Sequence, residues 1–226
     1  MKRLVAKIRR SLERDRELPL ATRLAKGGQF LASTALAPLY LRACTRVGAR
    51  ARVIGGKPRI ENHGRLEIGD DFTISSTFCR LEMVTAPGGA IEIGNRVVVN
   101  FGTVIHARQL VRIADGVNIG PYAIIADSEF LVDGAAGNDG DVVAPIEIGE
   151  RVWLASRVTV LPGSRIGAGS IISAGSIVSG VIPPGVVVAR IPARVVRRLG
   201  PDVKSEQERA EGAAAASTPA IGAETR

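Results

Sequence analysis

Aromatic side chains are scarce in this chain: Phe, Tyr and Trp make up 4% of 226 residues, while hydrophobic residues make up 46%. A core assembled from Val, Ile, Leu and Ala follows, which excludes a sandwich anchored on Trp and Phe and suits a narrow prism of branched aliphatics. Cysteine is nearly absent as well. Cys44 and Cys79 offer neither a metal-ligand spacing nor a disulfide framework, and a reducing compartment is the simplest reading. Histidine is limited to His63 and His106, too few for a zinc centre with three histidine ligands, as in a γ-type carbonic anhydrase. Long apolar runs are missing too: the stretch from Phe30 to Leu41 is too short to span a bilayer and contains Ser33, Thr34 and Pro38.

Charge is unevenly placed. Of the 30 basic residues, 12 lie in the first 50 positions against Glu13, Asp15 and Glu17, so this arm carries +9 of a formal +8 and the other 176 residues sum to −1. No basic stripe with interleaved aromatics runs through the body, so nucleic acid is not an expected partner. Residues 1–17 lack the apolar stretch and small-residue cleavage site of a leader, which predicts a cytoplasmic protein. Leu4, Val5, Ile8 and Leu12 fall at helical spacing among basic residues. They predict a helical arm over 1–48 that either caps the body or meets the inner face of an anionic membrane through residues 1–17. Residues 201–226, rich in Ala, Glu and Ser, read as a disordered tail.

Between arm and tail lies a repeat. Ile148, Leu154, Val160, Ile166, Ile172 and Val178 follow one another at steps of six, and two residues before each stands Ile146, Val152, Val158, Ser164, Ser170 or Ser176. The phase recurs at Ile113, Ile119 and Ile125, at Ile93, Val99 and Ile105, and at Ile68 and Ile74. Neither a helix (period 3.6) nor an ordinary strand (period 2) gives six. Each hexad makes one flat side of a triangular coil, its aliphatic residue pointing inward and small residues or Gly turning the corner. Stacked coils bury their aliphatics only against one another and need caps, for which the arm and residues 195–199 are candidates. The expected fold is therefore an all-β solenoid over 49–200, a left-handed parallel β-helix with an N-terminal helical extension. Two residues are inserted near Gln109 and Leu110. The 23 residues from Ile125 to Ile148 leave room for about five coil positions plus an excursion over 126–145, where function is expected.

The phrases RIENHGRLEIGDD (59–71), IGNRVVVNFGTVIHA (93–107), VRIADGVNIGPYAIIADSEF (111–130), IEIGERVWLASRVTVLPGSRIGAGSIISAGSIVSGVIPPG (146–185) and VARIPARVVRRL (188–199) together resemble the bacterial hexapeptide-repeat acetyltransferases, in the maltose-acetyltransferase-like and polysaccharide O-acetyltransferase branch. The resemblance implies O-acetyl transfer from acetyl-CoA to a sugar or glycolipid acceptor. It also implies a homotrimer with sites between neighbouring prisms, and no metal. By position it places Trp153, Ala155, Ser173 and Ala174 along the pantetheine groove and Arg194 at the coenzyme's phosphates, where a guanidinium can bind oxygens in pairs. Arg190 fills a slot that is usually Gly, inside the same coenzyme site.

The family's histidine slot is Leu131 here, in the phrase Asp127-Ser128-Glu129-Phe130-Leu131. Hydroxyl acetylation needs a base for the acceptor proton. Ile105 should lie one coil beneath Ile125, placing His106 and Ala126 on the same outward corner, so His106 is the candidate base. Asp127 or Glu129 would orient it, or Glu129 would act alone. His63 reads as part of a turn before the first clear coil. The competing reading is a catalytically impaired trimer serving as a scaffold or partner-binding protein. A sugar nucleotidyltransferase is excluded, because the arm cannot supply a nucleotide-binding α/β domain.

Overall fold

The computed structural model describes Gly28 and residues 31–128 and 142–200. The amphipathic residues of the arm (Leu4, Val5, Ile8 and Leu12), Glu129, Leu131 and the tail lie outside the described residues. Three parallel sheets wind into a left-handed β-helix of six complete coils. Sheet A stacks β1 (Arg46–Val47), β4 (Arg65–Ile68), β7 (Ala90–Ile93), β10 (Leu110–Ile113), β13 (Ile146–Ile148), β16 (Arg165–Ile166) and β19 (Val181–Ile182). Sheet B stacks β2 (Arg52–Gly55), β5 (Thr73–Ser76), β8 (Val98–Val99), β11 (Asn118–Ile119), β14 (Trp153–Leu154), β17 (Ile171–Ile172), β20 (Val186–Ala189) and β21 (Arg194–Arg198). Sheet C stacks β3 (Arg59–Asn62), β6 (Glu82–Thr85), β9 (Val104–Ala107), β12 (Ile124–Ala126), β15 (Thr159–Val160) and β18 (Ile177–Val178).

The hexad residues form the core. Ile148, Leu154, Val160, Ile166, Ile172 and Val178 are all buried, as are the residues two positions earlier. Register is exact from coil to coil: Ile119 pairs with Leu154, and Leu154 with Ile172. The prism starts earlier than the repeat phase indicates. β1 is already a rung of sheet A, so Val47, Val53 and Ile60 belong to a first coil, and exposed His63 follows that coil instead of preceding it. The phase hides this coil because extra residues separate Val53 from Ile60 and Ile74 from Met83.

Length varies by corner. Between the inward residues of sheets A and B the step is always six, from Val47 to Val53 up to Ile182 to Val188. Between C and A it is 8, 10, 8, 23, 6 and 4, starting from Ile60, Met83, Ile105, Ile125, Val160 and Val178. The long interval after Ile125 therefore holds no skipped coil, since β13 is simply the next side after β12 and pairs directly with β10. The A/B corner is held tight. A Cβ on Gly167 would lie 2.4 Å from Pro184 N, and one on Gly149 2.7 Å from Ala168 N. Corners are not made by small residues alone: Arg50, Asp71, Arg96, Tyr122, Arg151 and Arg157 all hold left-handed φ between 53° and 59°.

Both ends are capped. At the bottom, α1 (Ala37–Tyr40), with Pro38 in its first turn, buries Ala37 and Leu41 against the core. At the top, β21 turns back antiparallel on β20 and closes the edge of sheet B.

Candidate active site

Two edges of sheet C collect the residues singled out from the sequence. Along the B/C corner, the register of β11, β14, β17 and β20 stacks Gly120, Ala155, Ser173 and Ala189 in one column, followed by Pro121, Ser156, Ala174 and Arg190 in the next. Backbone bonds fix the column: Ala155 N–H donates to Ile172 O at 2.9 Å and Ser173 N–H to Val188 O at 2.8 Å. Gly120 is needed for this closeness, because a Cβ there would lie 2.7 Å from the Ala155 carbonyl carbon. Trp153, half-buried, faces outward from β14 between Asn118 and Ile171, on the same side as Ala155 two residues on. Arg194 pairs with Ala189 at the head of the column, its Nη1 donating to Ala193 O at 2.9 Å. Arg190 sits beside it, exposed, with φ 87°. All six coenzyme-site candidates thus share one edge or the adjoining face.

His106 and Asp127 occupy the other edge. His106 lies on the outward face of sheet C, half-buried between Val84 and Ala126, with its Nδ1 shielded from solvent. Its pairing with Ala126 is as the coil arithmetic gives. It is not at a corner, however, because β9 continues to Ala107. Asp127 is fully buried and its carboxylate is taken up by backbone amides. One oxygen accepts from Arg108 N–H at 2.8 Å, the other from Gln109 and Leu110 N–H at 2.7 Å each. These are the amides of the two-residue insertion, so the carboxylate pins that turn. Its link to His106 runs through the main chain, Asp127 N–H donating to His106 O at 3.3 Å.

The width of sheet C separates the two groups within one copy, roughly 15 Å for the five residues from Phe101 to His106. Two surface grooves of about 360 and 460 Å³ lie elsewhere, over sheet A. Glu92 and Arg112 wall the smaller groove and Glu147 and Arg165 the larger; Glu92 accepts from Arg112 and from neighbouring Arg65, and Arg112 first among them holds that carboxyl below its ordinary range. This is a self-neutralised solvent face. Among the described residues, no three His, Cys, Asp or Glu side chains converge as a metal site, and no helix is long and apolar enough to cross a membrane.

Residues 145–180 match the family model described as bacterial transferase hexapeptide (six repeats). Over 179 residues the chain is 30% identical to WbbJ of Escherichia coli K12, assigned by name to lipopolysaccharide biosynthesis as an O-acetyl transferase; the match covers 71% of this chain and 86% of WbbJ. The chain belongs to the hexapeptide-repeat acetyltransferases. Galactoside O-acetyltransferase of Escherichia coli K12 is 39% identical to this acetyltransferase over 113 residues, 50% of this chain and 56% of that protein. A solved galactoside acetyltransferase in complex with coenzyme A superposes with a TM-score of 0.50 at 26% identity, covering 83% of this chain and 87% of the other.

Proposed function

We propose that this acetyltransferase moves an acetyl group from acetyl-CoA, its donor substrate, to a sugar hydroxyl in the making of a surface glycan or glycolipid. We propose further that it works as a homotrimer. The observation that carries the reading is the separation of the two residue groups by sheet C, whose outward face bears an apolar patch above the Arg59–Glu61 and Arg59–Glu82 ion pairs of its first two coils. Val84, Val104, Ile124, Leu161 and Ile177 stand on it, Ile124 and Leu161 being 40% and 38% exposed. Sheet A, by contrast, is a ladder of charges. With sheet C of each copy turned to a threefold axis, the B/C corner of one copy meets the far edge of sheet C in the next. His106 of one subunit then faces the coenzyme corner of its neighbour at that edge.

In that cleft the imidazole takes the acceptor's O–H proton and the oxygen attacks the thioester carbonyl. The tetrahedral adduct expels the coenzyme thiolate, which recovers the proton from the imidazolium. Trp153, Ala155, Ser173 and Ala174 line the pantetheine arm; Arg194, with Arg190 beside it, binds phosphate oxygens. Asp127 holds the edge next to His106, and Glu129 remains a candidate partner of the imidazole. The basic arm, residues 1–17, places the cytoplasmic enzyme against an anionic membrane where a lipid-linked acceptor is built.

Replacing His106 with Ala tests the chemistry. Transfer should fall by about 10²–10⁴, the contribution of a positioned base, while coenzyme A binding and mass in solution stay as in the parent. Wild-type turnover would remove His106 from the mechanism. A parent protein that binds the coenzyme but transfers nothing would favour the scaffold.

A further inference from the structure

Three of the chain's eight aromatic residues stand in one file along the B/C corner. Phe78, Phe101 and Tyr122 belong to coils two, three and four. Phe101 contacts Phe78 edge-on at 5.2 Å between ring centroids, and Tyr122 at 5.4 Å. Phe78 is 64% and Tyr122 44% exposed. The file is built rather than incidental. Tyr122 holds a left-handed backbone, φ 58°, which a bulky side chain rarely takes. Gly102 beneath it makes room, since a Cβ there would lie 2.4 Å from Tyr122 Cδ1. The hydroxyls of Ser75 and Thr77, 3.4 Å apart, lie on the segment that leads into Phe78.

Position says what such a file serves. It lies directly below Ala155, Ser173 and Ala174 on the same corner: Arg157 N–H of the fifth coil donates to Pro121 O, next to Tyr122. A threefold axis parallel to the stack brings equal coil levels face to face. His106, in the third coil, then stands at the level of Phe101, between Phe78 below and Tyr122 above. The occupant of that level must offer an apolar face to the rings and hydroxyls to the polar rim and the base. A pyranose ring does both.

We propose that Phe78, Phe101 and Tyr122 form the acceptor platform, a stacking surface for one or more sugar rings of the glycan. This rests on the trimeric acetyltransferase reading for its placement, and binding to the rings can be tested apart from transfer. Lactose and maltotriose are the probes, by saturation-transfer NMR on the full chain. The variants are Phe78→Ala and Tyr122→Gly, the latter keeping a residue suited to left-handed φ.

The parent should transfer saturation to the C–H protons of at least one saccharide. Each variant should weaken that binding about tenfold, the scale of a lost ring contact, with coenzyme A binding and mass unchanged. A parent that binds neither saccharide overturns the platform, as does undiminished binding in both variants. A variant whose mass falls to that of one chain marks the file as a contact between copies and overturns it too. If the parent binds sugar through these rings yet transfers no acetyl group, the transfer reading fails and the platform stands.

Discussion

Asp115 and Asp127 do similar work at different corners, each accepting main-chain N–H groups from the coil below. Asp115 takes Asn95 N–H at 2.8 Å and the Asn95 amide at 3.1 Å, with Arg96 Nη2 also at 3.1 Å. The Asn95 bonds, backbone first, hold its carboxyl below the ordinary range, with Arg96 adding to them. The unfolded chain ionises this group near its usual value, about 3.9. The charged form therefore contributes stability above that value, and the contribution is lost as pH falls through the lower folded pKa. Denaturant midpoints measured from pH 6 to pH 2 should decline less steeply in Asp115→Asn than in the parent; parallel curves would show that Asp115 contributes nothing to acid stability. Asp127 shows how far a single residue can be read from sequence. Its place beside the His106 strand follows from counting hexads. The direction of its carboxylate does not, because that depends on which amides the insertion at Gln109 and Leu110 leaves unpaired.

The strands are legible because a hexad buries the same two positions on every side, whatever the neighbours do. Ile146 through Val178 carries the phase unbroken and all its inward positions are buried. Where the C-side corners lengthen, the phase slips, which is why the first coil and the simple passage from β12 to β13 escape the pattern. Left-handed corners escape it too. Arg96 and Arg151 look like surface charge in sequence, yet each holds a corner that glycine fills at Gly116 and Gly169. At the entry to the A/B corner, Gly167 has no room for a side chain. Gly167→Ala puts a methyl 2.4 Å from Pro184 N and 2.7 Å from Pro183 C; backbone cannot yield as a side-chain end would, and a loss of about 1–3 kcal/mol is expected. Gly175→Ala meets nothing within 4 Å but must hold φ 71°, so its loss should be about 1–2 kcal/mol, from conformation alone. Thermal unfolding of the pair separates crowding from strain, and a Gly167 variant as stable as the parent would mean the coils can part.

No single prism brings His106 to the edge we propose for the coenzyme, so the whole-molecule question is which face meets another copy. The sequence carries the apolar residues of sheet C but not their alignment. Ile124 and Leu161 lie in adjacent outward columns only once the 23-residue interval is known to span one side. Ile124→Glu sets a carboxylate in the middle of that face. Light scattering should show the mass of one chain, with transfer lost. A variant that remains a trimer would move the contact to another face and separate His106 from the neighbouring groove.

The unequal corners also govern how such a protein can change. The A/B edge works like the spine of a book: its six-residue step is repeated without exception, and one residue more would shift every later page. The C/A edge is the fore-edge, where pages of different width lie side by side without disturbing the binding. Longer C/A intervals, Met83 to Ile93, Ile105 to Ile113 and Ile125 to Ile148, lie on the His106 side of sheet C. A change of length there would reshape what approaches His106, the base in our proposal, while the stack bearing the proposed coenzyme edge stays as it was.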